Sequence, residues 1–174
     1  MSKTVTVFGS SKPLPGEEEY ESAHKLGQLL GEAGYAVCTG GYQGIMDAVS
    51  KGASEFDVKV IGVTVDLFSA VPSEYLTGQI HCDSLFERIE KLIELGDAYI
   101  ILRGGTGTLV ELSISWELMN KNLIDQKPIA CHGEMWQRII QPMEERIEYE
   151  KRETGLVQCF DSIEECFNYI KSKL

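Results

Sequence analysis

Strand-like runs in this chain end in glycine-bearing loops that lead straight into helical stretches, and this alternation restricts the fold more than any other feature. Residues 4–9 (Thr-Val-Thr-Val-Phe-Gly) are rich in β-branched side chains and run into Ser10-Ser11-Lys12-Pro13, which predicts a buried strand and then a loop. Pro15-Gly16-Glu17-Glu18-Glu19 opens a helix with acids in its first turn, and Tyr20, Ala23, Leu26, Gly27 and Leu30 keep helical spacing as far as Gly34,. The same pattern follows again, with a short strand at 35–38, the loop Gly40-Gly41-x-x-Gly44, and a helix from Ile45 to about Gly52.

Residues 58–65 read as a third strand, 66–78 as a loop and 79–82 as a fourth strand. Residues 84–95 form an amphipathic helix with Leu85, Ile89, Leu92 and Ile93 on its inner face,. The most apolar strand, 98–102, precedes Arg103-Gly104-Gly105-Thr106-Gly107-Thr108 and a helix through Met119. A strand at 128–131, a helix at 134–151, a strand at 156–160 and a helix opened by Asp161 complete the chain. Strands alternating with long helices predict an α/β fold, a doubly wound parallel sheet with helices on both faces.

A chain of 174 residues fits a single domain over residues 1–174,. Sixteen Lys and Arg against 27 Asp and Glu give a net charge of -11, which opposes binding to nucleic acid and to anionic membranes. An anionic ligand therefore needs backbone N–H groups or a few well-placed cations. Five cysteines without a CxxC pair argue against both a disulfide framework and a zinc site, so no metal is expected,. The sequence starts in a strand-like run rather than a leader and has no apolar stretch long enough to span a bilayer, which makes cytoplasmic location the expectation,.

In a parallel sheet the strand C-termini and helix N-termini share one side, where the loops converge on a crevice. Gly9-Ser10-Ser11, Gly40-Gly41-x-x-Gly44 and Gly104-Gly105-x-Gly107-Thr108 all end strands there. The last carries the strongest signal, because glycines let the backbone approach an anion and the following helix offers unpaired N–H groups. A tight turn alone would not require three glycines in four residues. For the loop at 40–44, two glycines for a turn and one for helix packing explain the pattern equally well. The first loop is not GxGxxG and the chain has no GxxxxGK[ST], so neither a dinucleotide nor a Walker-type triphosphate site is indicated and a mononucleotide fits better.

Arg88 and Glu111 fall early in the helices that follow two of these strands, and both can reach the crevice. A carboxylate beside a sugar can activate water or stabilise a developing oxocarbenium ion, while arginine holds an anion or base acceptor. Each residue has a second reading. Thr108-Leu-Val-Glu111 matches a capping box,, and Arg88, set among Glu87, Glu90, Lys91 and Glu94, suits a solvated helix face laced with ion pairs,.

Arg88, the strand after it, and Gly104-Gly105-x-Gly107-Thr108-x-x-Glu111 resemble the LONELY GUY (LOG) family, whose pattern is an Arg-Lys pair followed by PGGxGTxxE. Residues 7–11, Gly40-Gly41-x-x-Gly44-Ile45-Met46 and Ser50-Lys51-Gly52-Ala53 extend the resemblance over residues 4–131. The resemblance implies a Rossmann-like fold and hydrolysis of a nucleoside 5′-monophosphate, AMP-like or N6-modified, to free base and ribose 5-phosphate without a cofactor. It implies catalytic roles for Arg88 and Glu111. It implies substrate-binding roles for Gly9, Ser10, Gly41, Gly44, Met46, Gly104, Gly105, Thr106, Gly107 and Thr108. A homodimer is implied too, in keeping with apolar residues such as Leu118 and Met119 outside the inner stripe.

Two positions depart from the family pattern: Ile89 stands where lysine follows the arginine, and Arg103 where proline opens the loop. The Arg103 cation, next to the phosphate loop, is read either as a substrate-binding group in place of the missing lysine or as a solvated surface arginine that points elsewhere. A sister group resembling molybdenum cofactor carriers shares the glycine loops but lacks the catalytic Arg and Glu, so the alternative is a non-catalytic nucleotide or cofactor binding protein.

Overall fold

Thr4–Phe8 forms β1, and every residue after Thr4 is buried because the strand lies at the centre of the sheet. A computed structural model describes residues 2–66 and 70–174. On one side β1 pairs with β2 (Ala36–Thr39), followed outward by β3 (Val60–Val65) and β4 (Gly78–Cys82). On the other side it pairs with β5 (Ala98–Ile101), then β6 (Ile129–His132) and β7 (Val157–Phe160). Every pairing is parallel, in the order β4-β3-β2-β1-β5-β6-β7. The expected strands and helices are all present, with ends shifted by a few residues, and the fold is α/β and Rossmann-like. Of the loop expected at 66–78, residues 67–69 lie outside the described residues.

Helices α1 (Glu18–Glu32), α2 (Ile45–Ser54) and α6 (Ile163–Lys173) cover one face and share a core with Val5, Val7, Val37 and Ile100. Helices α3 (Leu85–Leu95), α4 (Thr106–Asn120) and α5 (Glu134–Tyr149) cover the other, around Phe8, Cys38, Tyr99 and Ile101. Winding first one way from β1 and then the other puts the crossover helices of the first half on one face and those of the second half on the opposite face,.

Two expectations about helix faces are corrected. Leu85 stands exposed at the first position of α3, where a side chain leans back past the helix end, and the buried stripe is Arg88, Ile89, Leu92 and Ile93,. Met119, expected outside the inner stripe, is fully buried. It lies on the middle helix of its layer, with α3 on one side and α5 on the other, so a wide arc of α4 is covered.

The segment 70–77 is fastened to α2. The Ser73 hydroxyl donates to Asp47 Oδ1 (2.7 Å) and the Tyr20 hydroxyl to Oδ2 (2.6 Å), while the Ser73 amide donates to the Gly41 carbonyl (2.9 Å). Asp47 is buried, so these hydroxyls take the place of its hydration,.

Candidate functional site

The loops after β1 and β5 meet where the winding direction reverses, the usual place for a crevice in an open parallel sheet,. The Ser10 amide donates to the Arg103 carbonyl (2.9 Å), and the Ile45 amide at the start of α2 donates to the Ser10 carbonyl (2.8 Å). Gly44 makes the second contact possible. Its φ is +72°, and a side chain there would press on Ser10 and Ser11 backbone atoms,. The result is a pocket of about 660 Å³ lined by Gly9, Ser10, Ser11 and Lys12 from the first loop, and by Tyr42, Met46 and Ala70 on one side. Arg88, Glu111 and the turn Gly105-Thr106-Gly107-Thr108 complete it.

The first turn of α4 is open to an anion. Its N-cap is Gly105, without a side-chain cap and without an acid in the first turn, and the Leu109 amide makes the bond to the Gly105 carbonyl (3.1 Å). The amides before Leu109 have no partner within the helix. Helices α3 and α6 are finished differently, with Ser84 accepting from the Glu87 amide and Ser162 from the Glu165 amide. The helix thus begins two residues before Thr108, so the capping box read from Thr108 and Glu111 does not form. The glycine turn itself supplies the N-cap, and Glu111 lies in the second turn, facing the pocket.

Arg88 is buried rather than solvated. Its Nε donates to the Val63 carbonyl (2.8 Å) and its Nη2 to the Gly40 carbonyl (3.1 Å), and the guanidinium lies 5.7 Å from the Tyr42 ring centroid,. Gly40 permits this approach, since any Cβ there would overlap Nη2. The Arg88 Nη1 faces Glu111 Oε1 at 3.8 Å, a contact too long for a hydrogen bond,. The Glu111 side chain is 13% exposed. Burial pushes its carboxyl up to about 7 against the opposing pull of Arg88,. The pair therefore joins a fixed cation to a carboxylate that changes charge near neutrality.

Of the residues expected to bind substrate, the structure brings Gly9, Ser10, Met46, Gly105, Thr106, Gly107 and Thr108 to the pocket. Gly104 packs beneath Thr108, and Gly41, with φ +77°, turns against Gly62. With Gly44, Gly41 fits the turn-and-packing reading of its loop. Arg103 lies elsewhere. Its Nη1 donates to Glu19 Oε1 (3.3 Å), the side chain is 56% exposed, and it borders a shallow cleft against α1. The carboxylates that begin α1 draw it away from the glycine turn, so Arg103 does not take the place of the missing lysine. That position, Ile89, is buried in the core.

Sequence reasoning passed over Lys12, Tyr42 and Gly40. The dipeptide Lys12-Pro13 signalled a loop, and nothing in it separates a solvated lysine from one at the rim of a site. The adjacent glycines at 40 and 41 were a usable signal, because a turn needs one of them and the other was free to admit a neighbouring group. Among the described residues no group of three or more His, Cys, Asp or Glu is placed to hold a metal ion. No described helix is long and apolar enough to cross a membrane.

Residues 2–164 match the model of the SLOG cluster4 family. The chain belongs to this LOG-like family. Similar curated proteins include a cytokinin riboside 5′-monophosphate phosphoribohydrolase of Rhodococcoides fascians, 31% identical over 113 residues, 63% of this chain and 57% of that protein. A pyrimidine/purine nucleotide 5′-monophosphate nucleosidase of Escherichia coli is 32% identical over 105 residues, 55% of this chain and 23% of that one. The SLOG chain thus spans a little over half the length of the first and under a quarter of the second. Among solved structures, the molybdenum cofactor binding protein of Rippkaea orientalis superposes with a TM-score of 0.77 at 24% identity, covering 99% of this chain and 98% of that one. That likeness is one of fold.

Proposed function

We propose that this SLOG protein hydrolyses the N-glycosidic bond of a nucleoside 5′-monophosphate, releasing the base and ribose 5-phosphate. One observation carries the reading: the buried Arg88–Glu111 pair shares a pocket with the uncapped N-terminus of α4. Glu111 is five residues beyond Thr106, which puts its backbone about 7.5 Å further along the helix axis at 1.5 Å per residue. The Glu111 side chain leans back toward the helix N-terminus, within reach of a ribose that extends from a phosphate held there. A phosphate on the amides of Thr106, Gly107 and Thr108 therefore leaves the anomeric carbon beside Glu111.

In this arrangement the helix N-terminus holds the phosphate through backbone donors and its dipole. The ionised Glu111 takes a proton from the attacking water or stabilises the positive charge that develops on the ribose as the C–N bond breaks. Arg88, fixed by two backbone carbonyls, holds a donor toward the ligand without having to be ordered at the moment of reaction. Relatives named as phosphoribohydrolase and nucleosidase support the reaction class. The cytoplasm, where such nucleotides are present, is the proposed location.

The test is incubation with a panel of purine, pyrimidine and N6-modified 5′-monophosphates, AMP among them, followed by chromatography for free base. Release from at least one member is expected. Binding without release from any member moves the protein to the non-catalytic alternative, a nucleotide or cofactor carrier.

A further inference from the structure

We infer that Lys12 is the cation that reads the ligand's 5′-phosphate and sets the preference for a monophosphate over a nucleoside, an inference that rests on the phosphate position proposed above. A phosphate monoester brings up to two negative charges to a protein whose own net charge is -11 and to a pocket that already holds Glu111. Arg88 is already engaged, with Nε on the Val63 carbonyl, Nη2 on the Gly40 carbonyl and Nη1 facing Glu111. The residue after it is the buried Ile89, and Arg103 is turned to Glu19. Among the described residues lining the pocket, Lys12 is the remaining cation.

The loop is built to present it. The Lys12 amide donates to Ser10 Oγ (3.1 Å), and the buried Pro13 that follows restricts Lys12 to extended backbone,. Ser10 is in turn fixed by its amide on the Arg103 carbonyl and its carbonyl on the Ile45 amide. The Lys12 backbone is thus anchored to both halves of the sheet, while its side chain is exposed and makes no ion pair among the described residues. A compact ammonium on a flexible stem, lining the same pocket as the α4 turn, is suited to a phosphate whose remaining oxygens that turn leaves uncovered. Its charge also steers an anion toward a crevice in an otherwise repelling surface.

The experiment uses the full chain, the Lys12→Gln and Lys12→Arg variants, and calorimetric titration with AMP, ribose 5-phosphate and adenosine at several NaCl concentrations. The Gln variant is expected to bind AMP and ribose 5-phosphate about tenfold more weakly, the scale of one charge-assisted contact. Its dependence on salt should flatten and its adenosine affinity should not change. The Arg variant should stay close to the wild type. Unchanged affinity and salt dependence in the Gln variant overturn the inference, as does a wild type that binds adenosine as tightly as AMP. Adenine release from AMP, measured in parallel, separates the two readings: a wild type that releases no base while Lys12→Gln still loses AMP binding removes the hydrolytic reading and leaves Lys12 its role.

Discussion

In the proposed reaction Glu111 has to be ionised, and its burial opposes that. With its carboxyl raised to about 7 from the ordinary 4.5, the native state holds a proton that the unfolded chain releases between those values. The sign follows directly: this group's contribution to stability is complete below about pH 4.5 and is lost as pH rises through about 7. Turnover in the proposed reaction runs the other way, because it uses the carboxylate, so the rate should climb across pH 7 as this contribution to stability is lost,. Glu111→Gln keeps the side-chain volume and removes the charge. It is expected to bind AMP while slowing base release by about 10²-fold or more, checked by single-turnover chromatography beside a binding isotherm. Normal turnover in that variant would end the catalytic assignment. The sequence placed Glu111 and Arg88 near the crevice but left both roles open. Four charged neighbours made Arg88 look solvated, and the deciding fact, that Gly40 leaves a gap for its guanidinium, belongs to a different strand end.

At the scale of elements the sequence was most legible where one local signal sufficed, as in the β-branched run of β1, whereas the last helix, read as opened by Asp161, is capped by Ser162. It misled where two local signals overlapped. Thr108-Leu-Val-Glu111 reads as a helix start, but the glycines before it had already begun the helix, and a tetrapeptide motif does not register its own displacement by two residues. The attachment of segment 70–77 to α2 was not legible either, because Tyr20, Asp47 and Ser73 come from three separate elements. Asp47 accepts from both hydroxyls at once, so Asp47→Asn turns one acceptor into a donor. A loss of about 1–3 kcal/mol is expected, measured by urea denaturation. Since this segment begins at Ala70 in the pocket wall, the same variant should raise the KM for AMP more than it lowers kcat.

For the whole molecule, the open question is what meets the face between α3 and α4. A groove of about 1000 Å³ lies there, with Phe86 80% and Leu123 67% exposed beside Ile89, Ile114 and Leu118. A second copy of the chain is the occupant proposed, in line with the homodimer implied by the LOG resemblance. Light scattering at micromolar concentration should return twice the 19.4 kDa of one chain, and Phe86→Glu should shift the mass toward the monomer. A monomeric wild type would overturn this. The backbone bond from Ser10 to Arg103 has a consequence in time as well as in space. It joins the loop after the first strand to the loop after the fifth, so no early folding intermediate that lacks either half contains a binding site. A nucleotide bound as proposed would therefore recognise only chains whose centre has already closed. Stopped-flow experiments with saturating AMP should find refolding as fast as without it and unfolding slower, so that the ligand acts as a latch on the finished fold and not as a template for making it.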